Sequence, residues 1–201
     1  MESATLAARE VHPMTPTQVA VLVVIVIALV GAALVLFLRN RSKRLRAQFG
    51  PEYDRAVAET GNKFKAESEL KKVEERVRRY PLRPLTAADR ERFEQSWRTI
   101  QGTFVDDPAR ALADADRLLT TVMQARGYPP SDFENRALEI SVDHATVVEH
   151  YRAGHEIAIR HSQGHATTED LRKGMVHYRA LFEELMHDEG APLRARAVGR
   201  S

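Results

Sequence analysis

Residues 19–38 read VAVLVVIVIALVGAALVLFL, twenty in a row without a charge or a strongly polar side chain. At about 1.5 Å of rise per residue such a helix is about 30 Å long, the thickness of a bilayer's hydrocarbon core. A helix that is apolar all round has no face to give to water, so the segment is expected to cross a membrane. A cleaved signal peptide would want a basic leader, a shorter apolar core and a small-residue cleavage site. Here residues 1–18 carry Glu2, Arg9 and Glu10, and RNRSKRLR follows the apolar run.

That run supplies Arg39, Arg41, Lys43, Arg44 and Arg46. Cations beside a span favour the cytoplasmic side, and they are expected to lie against the anionic inner leaflet. The expected topology is an extracytoplasmic N-terminus (1–18), a transmembrane helix (19–38) and a cytoplasmic remainder at the cell inner membrane. Charge is segregated along the rest. Residues 39–83 hold 14 Lys plus Arg against 7 Asp plus Glu, whereas residues 86–187 hold 12 against 17. A mildly acidic distal region does not suit nucleic acid, whose phosphates want a basic face. Cysteine is absent, which excludes disulfides and thiolate metal sites.

After Gly50 and Pro51 a short helix is expected, ended at Gly61–Asn62. In residues 63–80, Ala66, Leu70, Val73, Val77 and Tyr80 recur at 4, 3, 4 and 3, with Glu67–Lys71, Glu74–Arg78 and Glu75–Arg79 as i, i+4 pairs. This stripe could pair with a second copy or partner, or pack on its own domain or the membrane face. Pro81 and Pro84 make a linker. Beyond it, amphipathic stripes recur: Phe93, Trp97, Ile100 and Phe104; Leu112, Ala115, Leu118, Leu119, Val122 and Met123; Phe133, Ala137 and Ile140; Leu171, Met175, Tyr178, Phe182 and Leu185. Expected N-caps are Thr86, Asp107 before Pro108, a Ser131–Glu134 capping box, and Thr167 with Asp170. Gly127 is the expected C′ residue. Asp143 is expected to cap a run from Ala145 to about Ser162. No stretch alternates with period two. The expected fold is therefore all-α: a transmembrane helix, a basic juxtamembrane helical segment (39–83), an independent bundle of four to five helices (86–187) and a disordered tail (188–201).

Five histidines fall within residues 141–165: His144, His150, His155, His161 and His165. On one continuous helix, His144 with His155 and His150 with His161 would form two ridges about 120° apart, with partners about 16 Å apart along the axis. Neither pair can hold one metal ion. His161 and His165 have i, i+4 spacing, but Gly164 ends the helix between them. A di-iron bundle needs two Glu-x-x-His motifs, and only Glu184-x-x-His187 is present. No metal or cofactor is expected. His155, among Val148, Tyr151 and Ala158, is expected half-buried, with His177 as a candidate partner. Phosphate loops, G-x-G-x-x-G and G-x-S-x-G are absent. No catalytic residue is named, and an enzyme is not expected.

The segments FGPEYDRAV (49–57), FVDDP (104–108), RGYP (126–129), SVDH (141–144) and YRALF (178–182) resemble an uncharacterised family of bacterial single-pass membrane proteins with a helical cytoplasmic domain. The likeness covers most of residues 49–186 and implies neither an activity nor site residues. Two functions are carried forward. One is a membrane-anchored interaction or scaffold module with a protein partner, or self-association through residues 63–80. The other is an enzyme or a pH or ligand sensor with a polar site at Asp143, His144, Tyr151, Arg152, His155 and His177.

Overall fold

The computed structural model describes residues 16–187; the expected outer terminus (save residues 16–18) and the tail from Asp188 lie outside the described residues. The fold is all-α, with no strand among the described residues. The chain divides between Lys43 and Arg44 into two units. The first holds most of α1 (Pro16–Phe49), a helix long and apolar enough to cross a membrane. None of its most apolar stretch is buried in protein, and Val24, Ile27 and Leu29 are among its exposed side chains.

The second unit starts at Arg44, not at residue 86. Among the described residues it holds the last turns of α1 and seven further helices: α2 (Pro51–Thr60), α3 (Lys63–Val77), α4 (Ala87–Asp106), α5 (Pro108–Ala125), α6 (Phe133–His144), α7 (Val148–Ser162) and α8 (Thr168–His187). Helix α4 packs on α5, α5 on α8 and α7, and α8 on α7; α6 joins α7 to α3, and α3 carries α2. The independent bundle expected for residues 86–187 is corrected here. Leu45, Phe49, Tyr53, Leu70, Val73 and Val77 belong to the same buried cluster as Trp97, Leu119, Tyr151 and Phe182. The stripe on α3 is thus spent inside the chain: Ala66, Leu70 and Val77 are fully buried.

Local chemistry starts and stops most helices. Asn62, Thr86, Asp107 and Thr167 each accept a backbone N–H three residues on. Pro51 and Pro108 open α2 and α5. Gly127 ends the turn after α5 at φ 98°, a conformation that suits glycine, and a Cβ there would stand 2.6 Å from the Pro81 carbonyl oxygen. The linker lies against that turn, with the Arg83 N–H donating to the Arg126 carbonyl at 2.9 Å.

Two expected caps are replaced. The cap of α6 is Asp132, whose side chain accepts the Asn135 N–H at 2.9 Å. Ser131 instead donates to Glu139, and Glu134 turns to Arg152. Asp143 does not cap α7: α6 runs through it to His144, a turn follows, and α7 begins at Val148 without a side-chain cap. His144 therefore sits on a different helix from His150, His155 and His161, so the two-ridge geometry does not arise.

Candidate functional site

Helix α7 carries Tyr151, Arg152 and His155 toward the first turn of α6, where they converge on one ring. The His155 imidazole stacks on Phe133 with centroids 3.6 Å apart and planes 13° apart. Tyr151 meets the same ring at 4.9 Å, and the Arg152 guanidinium lies over it at 5.5 Å. Arg152 is then held in two directions. Its Nε and Nη2 donate to Glu52 at 2.6 and 2.8 Å, and its Nη1 reaches Glu134 at 2.8 Å. The Glu52 side chain is 1% exposed, so this bidentate pair is shielded from water. Burial alone would lower the Arg152 pKa; hydrogen bonds and charge from Glu52 and Glu134 reverse that and hold it above its ordinary value.

Behind Phe133 lies a second polar group. Arg136 donates to the Tyr151 hydroxyl at 2.9 Å, to Thr120 Oγ1 at 2.9 Å and to the Ser131 carbonyl at 2.7 Å. Burial pushes the Tyr151 hydroxyl up to about 12, the Asp116 carboxylate adds to this, and Arg136 opposes it. Tyr178 is raised further by burial and by the same carboxylate. Both phenols are therefore protonated at neutral pH. Burial lowers the His155 pKa, while Asp116 and Glu134 pull it back up. At neutral pH the site presents a neutral imidazole pinned on a ring, two phenols and saturated guanidiniums.

An open cleft of about 190 Å³ adjoins Arg152 and Glu134. Its wall is apolar at Ala56, Leu70, Val73 and Leu138, and its rim carries Arg55, Glu59 and Glu69. Three elements thus make the cleft, α2, α3 and α6, with Arg152 from α7 closing one side.

The six candidate residues do not form one site. Tyr151, Arg152 and His155 meet at Phe133; the other three lie apart. Asp143 is 3.4 Å from the Tyr128 hydroxyl, and His144 Nδ1 is 3.0 Å from Glu184. His177 faces His150, with Nδ1 atoms 3.0 Å apart, rather than His155. The reason is the register of α7 on α8, in which Gly154 sits directly against the Tyr178 ring. Glu184 of the single Glu-x-x-His motif is turned to His144. No group of three or more metal-ligating side chains gathers among the described residues.

The cations that follow residue 38 also divide. Arg44 pairs with the buried Glu74 at 2.7 Å, and Arg46 pairs with Asp54 and lies over Tyr53. Arg39 and Lys43 are exposed.

Sequence reading missed Glu52, Phe133, Glu134, Arg136 and Asp116 as members of this site. Glu52 did leave a trace: it stands four and eight residues before Ala56 and Thr60, on the inward side of α2. Nothing local marked its partner, which is 100 residues away.

With this geometry in hand, no protein-family model matches the chain, nor does any curated protein or solved structure.

Proposed function

We propose that the protein is a single-pass, membrane-anchored helical module that docks a protein partner at the cleft between α2, α3 and α6, on the cytoplasmic face of a bacterial inner membrane. The cleft carries this reading: an apolar wall with a rim rich in glutamate fits a segment bearing an apolar side chain beside a basic one. The charged groups deepest in it, Glu52 and Arg152, saturate each other, so it offers surface rather than an unpaired reactive group. Anchoring is supported by the length and apolarity of α1, and the orientation by the cations that follow residue 38.

A photo-crosslinking residue at Thr60, which lines the cleft, tests the docking in the host cell against the same probe at Gln95, exposed on α4. A discrete adduct from Thr60 alone, lost in Glu59→Lys/Glu69→Lys, is the expected result. Identical adducts from both positions, or none from Thr60, would sink it. A second reading, proton sensing, is favoured by one observation: the facing Nδ1 atoms of His150 and His177 can share one proton between them but cannot both carry one.

A further inference from the structure

Helix α3 and the turn after it look mixed in charge along the sequence. Residues 63–79 hold seven cations and four glutamates. Folding sorts them. Glu67 and Glu74 are buried, at 2% and 4% exposed. Glu67 accepts from the Tyr53 hydroxyl at 2.8 Å and has Lys63 beside it, and Glu74 takes Arg44 and Arg78. Arg76 reaches inward to the buried Glu139, and Glu69 lines the cleft. Lys71 pairs with Glu75. Three exposed cations are left without an ion pair among the described residues: Lys65, Lys72 and Arg79.

These three are seven residues apart, and on an α-helix a step of seven returns to within about 20° of the same side. They form one line about 21 Å long, Arg79 lying just past the helix end. Phe64 stands on the outward side of the same helix, 67% exposed, with Ser68 one turn on. A row of free cations with an exposed aromatic ring is the chemistry that meets an anionic, partly apolar layer.

We infer that the outward face of α3, built from Phe64, Lys65, Lys72 and Arg79, docks on the anionic headgroups of the bilayer. The inference goes beyond the cleft and does not depend on it; it does rest on α1 lying in a membrane. Nucleic acid also attracts cations, but a phosphate backbone gives an exposed phenylalanine no apolar layer to enter. The tether decides further: a face on the same chain as α1 meets the bilayer at a high effective concentration, so a weak electrostatic contact suffices. Burial of Glu67 and Glu74 has two results at once. It ties α3 to the core and leaves Glu75, held by Lys71, and Glu69, at the cleft, as the exposed carboxylates of the helix, so that cations outnumber them on the outward side.

The chain has no cysteine, so Ser68→Cys gives a single labelling position on this face, and Gln95→Cys gives one on α4. The full chain is reconstituted in nanodiscs of phosphatidylcholine, with or without phosphatidylglycerol, each with a nitroxide-headgroup lipid as quencher. The fluorophore at Ser68 is expected to be quenched in the anionic discs and not in the neutral ones. Quenching should vanish in Lys65→Glu/Lys72→Glu/Arg79→Glu and in high salt, where screening shortens to a few ångströms, about 3 Å at 1 M. The helical signal of the triple variant shows that it is folded. Quenching at Ser68 that equals quenching at Gln95, or that ignores lipid charge, overturns the proposal. So does a shift of short duplex DNA by the neutral-disc protein that needs the same three cations, if anionic lipid gives no quenching. Incorporation into the discs reads the anchor separately, because a chain that stays outside them overturns the membrane reading of α1 as well.

Discussion

Helices α4, α5, α7 and α8 meet mainly through apolar and aromatic side chains, with Asp116 and the buried Arg126 as charged groups among them, whereas α2 and α3 bring buried carboxylates as well as apolar side chains to the same core. In the first region Trp97 stacks on Phe182 at 4.7 Å, and Leu112, Leu119, Tyr178 and Leu181 are sealed from water. In the second, Glu52, Glu67 and Glu74, together with Glu139 of α6 that meets Arg76 of α3, are each at most 4% exposed. Glu139 accepts the Tyr80 hydroxyl at 2.7 Å and the Ser131 hydroxyl at 3.1 Å, with Arg76 at 3.4 Å. Apolar contact is non-directional and rewards any close fit. A buried carboxylate must lose its water, and only a donor in the right place compensates it. Apolar area thus dominates in the bundle, and the α2–α3 layer adds to its own apolar contacts a few pairings that admit one register.

The largest test separates the regions. A fragment of residues 86–187 removes Leu45, Phe49, Tyr53, Leu70, Val73 and Val77 from the shared core, and strands Glu139 and Arg152 without their main partners. It is expected to lose cooperative thermal unfolding, read by circular dichroism, while a fragment of residues 44–187 keeps it. Equal cooperativity in both would return the bundle to independence.

Next come two substitutions of similar cost and different character. Trp97→Ala should destabilise by about 3–5 kcal/mol, as large cavities in packed cores do. Glu52→Ala should also cost about 3–5 kcal/mol, because it leaves a guanidinium largely out of water without its bidentate partner. The double variant Glu52→Leu/Arg152→Met distinguishes them: most of the loss should return, since two apolar groups leave no buried charge behind. No cavity variant at Trp97 admits such a rescue. Urea unfolding of all three checks this, and a double variant as weak as Glu52→Ala would contradict it.

A smaller effect is expected inside the bundle. A Cβ on Gly154 would fall within 2.5 Å of Tyr178 Cδ1, a ring with no room to swing. Gly154→Ala should cost about 1–3 kcal/mol through overpacking, measured by the shift in midpoint. No loss would mean that α7 and α8 are spaced by something other than this contact.

The smallest effect is one of pH. Burial, and then the neighbouring His150, hold the His177 pKa below the ordinary imidazole value of 6.5. The unfolded chain therefore takes up the proton first. Stability is level above that value and falls as pH drops below it, until the native imidazole also titrates. Between about pH 7 and about pH 5 the wild-type urea midpoint should fall further than that of His177→Gln. Parallel profiles would remove the histidine pair from any sensing role.

What was legible follows from distance along the chain. Caps at Thr86, Asp107 and Thr167 act over three residues, and apolar stripes repeat within two turns, so a short window contains their whole cause. The α6 cap was misread within such a window, because Ser131 and Asp132 are both good caps and only the position of Glu139 and Arg152 decides which is free. The i, i+4 pairs show the same limit. Glu74–Arg78 forms as spaced, but Glu67, covered by α2, turns to Tyr53, and Glu75 pairs with Lys71 instead of Arg79.

Composition and period alone determined that this chain is helical and that one helix is apolar enough to cross a membrane, because both properties are sums over neighbouring residues. Tertiary structure decided where the folded unit begins, which histidines face each other and which charges of α3 remain outward. Those outcomes depend on pairs such as Glu52 with Arg152 and Tyr80 with Glu139, 100 and 59 residues apart, which only the packed core brings within hydrogen-bond reach.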